Sequence, residues 1–277
     1  MRKNIFIQDE HQLEFDENGF LKLKIFDTEE IDDLWNIFNH HLSNQETPHF
    51  LSTNFLPQKE ERIKIANKIS TIINSKIHNT LTNIKLWYPA FLIKPTGEDT
   101  EFKLHQDWTF VDELQYYSGN FWFPLQDTDE NNGTLYVIPK THFTCVNSIR
   151  AQTIHEIFWG KDAILKPYCT PLNVKKGEVV FFQHSTIHYS SANISNHKRV
   201  AINCGFNSKE ATLKTFFRIN ETEANEYEMP DNFVFEYNDI ASLNNLPTGQ
   251  FIQKVKIPYQ HTIRNPSDLI NLFIHHQ

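Results

Sequence analysis

Ile31, Leu34, Phe38 and Leu42 recur at the spacing of one helix face. They follow Asp27-Thr28-Glu29-Glu30, where a capping side chain is succeeded three residues later by an acid, so a helix is expected to start there. A second helix is expected over much of residues 60–81, with Ile65, Ile69, Ile72 and Ile73 as its apolar stripe. Both stripes read as core-facing surfaces. From Leu86 the pattern shortens. LWYPAFLIK, FKLHQD, NFWFPL, GTLYVIP, EVVFFQ and RVAINCGF are brief runs rich in aromatic and β-branched residues. Turn signals separate them at Pro95-Thr96-Gly97, Ser118-Gly119-Asn120, and residues 129–133, 175–177 and 190–196. Many short strands without interleaved helices predict a β-sandwich or barrel with flanking helices and argue against a doubly wound sheet. From about Lys209 the chain is polar, then returns to apolar patches around Phe233, Phe251 and Ile257, as expected of an extension packed on the main domain.

Composition narrows this picture. The 277 residues suit one large domain: a helical part over 1–85, a β core over about 86–207 and an extension over 208–277. The 23 phenylalanines favour sheet over a helix bundle. A net charge of -8 argues against a nucleic-acid partner, and no apolar run approaches the length of a membrane span. Acids interrupt the N-terminus before any apolar core, unlike a secretory signal. Cys145, Cys169 and Cys204 are widely spaced and form no CxxC pair, so a reducing cytoplasm is the expected setting.

Candidate chemistry centres on His105-Gln106-Asp107. Residues two apart on a strand share a face, so this imidazole and carboxylate can turn to one metal. A distant histidine would complete a set of two His and one carboxylate, which suits non-haem Fe(II) because neighbouring coordination positions stay open. His188 is the candidate: a Gly turn at 177 leads into an apolar strand read as ending there. Arg199 then opens the strand RVAINCGF. If the two strands are antiparallel neighbours, its guanidinium returns to the vicinity of His188, suited to gripping a carboxylate, with Ser190 adding a hydroxyl. His184, four residues before His188, shares its face on this reading and is expected to pack or hydrogen-bond behind the site. His142 reads as structural. Trp108, Phe110, Tyr88 and Gln126 are candidates for lining a substrate pocket, with core packing as their alternative role. Asp129 and Glu130 belong to a turn, and His275-His276 to a frayed end.

FDENGFLKLK near the N-terminus, HQD at 105–107, FWFPLQDTDENNGTLYVIPKTH at 121–142 and KKGEVVFFQHSTIHYSSANISNHKRVAI at 175–202 together resemble the phytanoyl-CoA dioxygenase family of 2-oxoglutarate oxygenases. The resemblance spans roughly residues 13–207 and implies a double-stranded β-helix, a cupin-like jelly roll. It implies iron ligation by His105, Asp107 and His188, with Fe(II), 2-oxoglutarate and O2 as cofactor and cosubstrates. Arg199 and Ser190 correspond to the 2-oxoglutarate anchors, Trp122 to an aromatic beside the cosubstrate, and Lys94 is expected to approach it. Tyr189 departs from the small residue usual after the distal histidine, which bears on the shape of the substrate pocket. The implied reaction oxidises 2-oxoglutarate to succinate and CO2 while hydroxylating an unactivated C–H bond of a small molecule: an amino acid, an acyl compound or a natural-product intermediate. Related halogenases replace the carboxylate ligand by a small residue, so Asp107 points to hydroxylation; desaturation or cyclisation stays open. Two other readings compete: a non-catalytic binding protein on the same fold, and a zinc hydrolase using the same three ligands.

Overall fold

A computed structural model describes residues 2–43, 49–145, 148–154, 160–236 and 249–257. Three helices lie in its N-terminal third: α1 (Asp9–Asn18), α2 (Thr28–Leu42) and α3 (Lys59–His78). Helix α2 begins with the expected capping box, in which Asp27 accepts from the Glu30 N–H and Glu30 accepts from the Asp27 N–H. Its stripe of Ile31, Leu34, Phe38 and Leu42 is buried. On α3 the buried stripe is Ile65, Ile69, Ile73 and Ile77, while Ile72 is only half-buried. Helix α1, absent from the sequence expectation, buries only Gln12 and Phe15 and stops at Gly19, whose φ of 80° suits a left-handed cap.

Among the described residues there are fourteen strands: β1 (Phe20–Lys24), β2 (Leu51–Ser52), β3 (Ile84–Leu86), β4 (Ala90–Lys94), β5 (Phe102–His105), β6 (Ser118–Pro124), β7 (Leu135–Val137), β8 (Thr170–Leu172), β9 (Glu178–Gln183), β10 (His188–Ser190), β11 (Arg199–Ser208), β12 (Lys214–Arg218), β13 (Glu223–Glu228) and β14 (Gln250–Lys256). The main sheet runs β1-β9-β6-β11-β4-β2, with β3 also on β11. A smaller sheet runs β5-β10-β7-β8, and all these pairings are antiparallel.

Strand alternation divides the main sheet into two surfaces. Phe121 and Phe123, Val179 and Phe181, and Val200, Ile202, Cys204 and Phe206 join Phe91, Ile93 and the stripes of α2 and α3 in one core. The intervening Trp122, Val180, Phe182 and Ala201 meet Leu135, Val137 and Leu172 of the smaller sheet. Two antiparallel sheets thus face one another, with helices behind the larger: the double-stranded β-helix that the resemblance implied.

Three details differ from the expectation. Residues 1–85 are not only helical, since β1 and β2 form the two ends of the main sheet. Ser118-Gly119-Asn120 is the start of β6 and not a turn. Gly119 is there because a Cβ would run into the Phe182 carbonyl of the neighbouring strand. The apolar run ending at His188 is two elements: β9 stops at Gln183, a turn closed by Thr186 N–H to the Gln183 carbonyl follows, and His188 opens β10 in the other sheet.

Beyond residue 208, β12, β13 and β14 form a third sheet. The Lys214 N–H bonds the Phe110 carbonyl, and Met229 and Phe233 pack with Phe110 and Val111. No helix among the described residues is long and apolar enough to cross a membrane.

Candidate metal and cosubstrate site

His105 and His188 end and begin their strands directly opposite one another in the β5–β10 ladder. Their ring centroids are 4.2 Å apart. Each ring is fixed in the same way. His105 Nδ1 lies 2.8 Å from the Lys103 carbonyl, and His188 Nδ1 lies 2.9 Å from the Thr186 carbonyl. A carbonyl only accepts, so Nδ1 carries the proton and the Nε2 lone pair is left as a ligand.

Asp107 lies past the end of β5. Its N–H bonds the His184 carbonyl at 3.0 Å, and Oδ2 accepts from the Asn120 amide at 2.7 Å. Oδ1 stands 3.7 Å from His105 Nε2, and Oδ2 stands 3.9 Å from His188 Nε2. One ligand atom from each of the three residues lies within 4.8 Å of the others, close enough to share one ion. Burial works to raise the Asp107 carboxyl. The imidazoles of His188, His184 and His105 and the Asn120 hydrogen bond work against it, and the net result is a group held below the usual carboxylate range. The carboxylate is therefore ready to bind a cation without first losing a proton.

Along the inner face of β11, Arg199, Ala201 and Asn203 point between the sheets. Arg199 does not reach the site by pairing with the strand of His188, as the sequence suggested. Strand β11 pairs with β6, β4 and β3, and the reach is made across the sandwich. Arg199 is buried, its guanidinium carbon is 5.4 Å from the Trp122 ring, and its Nε has no partner. Its ladder partner is Lys94. Lys94 Nζ donates to Ser190 Oγ at 2.7 Å and to the Ser191 carbonyl at 2.5 Å. That bond spends an acceptor lone pair of Ser190 and leaves its O–H free to donate. Burial, with the Arg199 charge adding to it, pushes Lys94 down to about 6; burial alone brings Arg199 down to about 9. Two buried basic groups, neither in a salt bridge among the described residues, form a receptor for an anion. Of the seven residues expected at the metal and cosubstrate, six thus lie on strands of the two facing sheets, and Asp107 lies just past the end of β5.

Other expectations divide. His184 is not in the ligand group. It is fully buried between Trp87 and Phe110, its Nδ1 is 3.0 Å from Ser118 Oγ, and burial lowers it to about 4. The turn after β9 removes it from the strand of His188. His142 is structural, its Nε2 2.8 Å from the Asp16 carbonyl. Tyr189 points away from the site, because alternation along β10 sends His188 and Ser190 inward and the Tyr189 ring outward onto Tyr136. Gln126 spends its amide on the backbone of Lys198 and Val200. Tyr88 packs on Phe235, and Trp108 and Phe110 belong to the cluster around Trp87. Asp129 closes a turn. His275-His276 lies outside the described residues.

Two residues of the site were not legible in the sequence. Asn120 sat inside the presumed turn. Asn203 donates to Asn120 Oδ1 at 3.1 Å, which forces the Asn120 amide nitrogen toward Asp107. The alternation of Arg199, Ala201 and Asn203 along β11 was the available signal for the second.

The phytanoyl-CoA dioxygenase (PhyH) family model matches residues 15–201. The chain belongs to that family. A phytanoyl-CoA dioxygenase domain-containing protein 1 homolog of Dictyostelium discoideum is 25% identical over 146 residues, 48% of this chain and 52% of that protein. Phytanoyl-CoA dioxygenase 1 of Oryza sativa subsp. japonica is 31% identical over 117 residues, 40% of this chain and 41% of its own. The matches therefore span about half the length of these family members or less. Among solved structures, the fold resembles the epimerase SnoN in complex with Fe3+, alpha ketoglutarate and nogalamycin RO, with a TM-score of 0.54 at 14% identity over 88% of this chain and 95% of that one. EctD from S. alaskensis gives a TM-score of 0.54 at 16% identity over 75% and 79%. EvdO2 from Micromonospora carbonacea var. aurantiaca, complexed with 2-oxoglutarate, gives 0.51 at 16% over 75% and 94%.

Proposed function

We propose that this family member is an Fe(II)- and 2-oxoglutarate-dependent oxygenase that hydroxylates an unactivated C–H bond of a small molecule. The observation that carries the reading is the pairing of two elements within one sandwich. One is a ligand set of two Nε2 atoms and a carboxylate; the other is a pair of buried basic side chains, Arg199 and Lys94, neither in a salt bridge among the described residues. The donor set fits Fe(II), and the cations fit the far carboxylate of a bound 2-oxo diacid.

In this reading His105, Asp107 and His188 hold iron from one side, and Fe(II), when bound, supplies O2 activation coupled to oxidative decarboxylation of 2-oxoglutarate. Arg199 grips the distal carboxylate, Lys94 adds a second charge, and the Ser190 hydroxyl donates to the same group. Trp122 walls the cosubstrate and excludes water. Asn120 occupies one oxygen of Asp107 and so directs the other to the metal. Because Asp107 is a carboxylate, no coordination position is released for a halide, which favours hydroxylation as the outcome.

The test is succinate formation from 2-oxoglutarate by the iron-loaded protein in air, with a mass-spectrometric search of cell metabolites for a product carrying one more oxygen. Both should require Fe(II) and O2. Turnover sustained by Zn(II) under anaerobic conditions would replace this reading with a hydrolase.

A further inference from the structure

We propose that Arg150, neutralised by Glu113, is a positioning residue for the metal site, fixing the backbone of Asp107 so that its carboxylate turns to His105 and His188. The inference rests on the oxygenase reading above but assigns a role outside the ligands and the cosubstrate anchors.

Strand β5 ends at His105, so no sheet ladder holds Asp107. Its peptide is fixed from two directions: the N–H by the His184 carbonyl at 3.0 Å, and the carbonyl by Arg150 Nε at 2.6 Å. Arg150 is itself held rigidly. Its backbone pairs with Thr109 through the Thr109 N–H at 2.9 Å and the Thr109 hydroxyl at 3.2 Å. The guanidinium donates to the Ser148 carbonyl and hydroxyl at 3.1 and 2.8 Å, and to Glu113 Oε1 at 2.5 Å. Arg150 is fully buried, and the Glu113 side chain is 4% exposed.

A buried ion pair is a poor device for stability alone. Desolvating both charges consumes much of their attraction, and an apolar pair of similar volume often serves as well. What an apolar pair cannot supply is a charged donor aimed at one carbonyl two residues past His105. Partners that orient metal ligands typically control affinity by about 10- to 100-fold.

The experiment separates orientation from stability. Co(II) is titrated into metal-free full-length protein, following its d–d absorption, alongside thermal unfolding. The Arg150→Met/Glu113→Leu double variant should keep the parent melting temperature within a few degrees, bind Co(II) about tenfold more weakly or worse, and show an altered d–d envelope. Arg150→Lys keeps the charge beside Glu113 but cannot present the same fork to two carbonyls and a carboxylate. It provides a second route should the double variant not fold, with the same loss of Co(II) affinity expected. Parent-like Co(II) affinity and spectrum in either folded variant overturns the proposal. If the parent binds Co(II) no better than His188→Ala, the metal-site reading itself fails, and that outcome is distinguishable from failure of the clamp.

Discussion

Arg199 and Lys94 face each other across the β4–β11 ladder, two basic side chains buried inside a sandwich. Removing Arg199 should therefore strike the cosubstrate and spare the metal. Arg199→Ala is expected to raise the half-saturating 2-oxoglutarate concentration at least about 30-fold, since truncating one member of a buried charge pair costs about 2–5 kcal/mol; Co(II) affinity, measured by direct titration, should stay near that of the parent. Lys94 makes a separate prediction. Its value in the folded protein is about 6 against an ordinary 10.5. A carboxylate beside it restores the charged form, so binding 2-oxoglutarate near pH 7.5 should take up a proton. Calorimetry in buffers of different ionisation enthalpy reads this uptake, and Lys94→Met should abolish it. Without ligand the unfolded chain binds more protons at this group between about pH 6 and 10.5, so its contribution to stability rises with pH across that window. His105, Asp107, His188 and Arg199 could be singled out in the sequence because iron and carboxylate chemistry admit few side chains, whereas Trp122 and Lys94 came only with the family resemblance. Asn120 and Arg150 could not be, because one acts through the orientation of an amide and the other through a backbone carbonyl, and neither leaves a spacing to read.

Helices α2 and α3 were legible because their apolar period is long and their starts are marked by capping and acidic residues. Helix α1 was not, since a helix that buries two residues in ten has no stripe. The strands were found but their ends were misplaced. Apolarity continues unbroken from Val179 through Phe182 and resumes at Ile187, which masked the turn at 184–187 that sends the chain from one sheet to the other. That misplacement gave His184 a face it does not have. The Gly119 error has a direct test. Gly119→Ala puts a Cβ against the Phe182 carbonyl, so it should destabilise the protein by about 1–3 kcal/mol or more in urea denaturation. Had residues 118–120 formed an open turn, the same change would be nearly neutral.

At the scale of the molecule, residues 233–236 are linked to the helical layer through a buried side chain. Arg62 on α3 donates to the Leu56 carbonyl and to the Phe235 carbonyl at 3.2 and 3.0 Å. Phe235 packs on Tyr88, and Phe233 on Trp87, whose ring borders His184. Arg62→Met should loosen residues 233–236 with little effect on α3, seen as faster amide hydrogen exchange in that segment alone. Equal acceleration throughout α3 would mean that Arg62 serves the helix and not the link. The ten residues of β11 have a consequence for how such a protein diversifies. Val200, Ile202, Cys204 and Phe206 are committed to the helical core, whereas Arg199, Ala201, Asn203, Gly205 and Asn207 face inward. Alternate positions along one strand therefore carry different burdens: a change at 200, 202, 204 or 206 strikes the core shared with the helices, whereas a change at 199 or 203 acts on the space between the sheets.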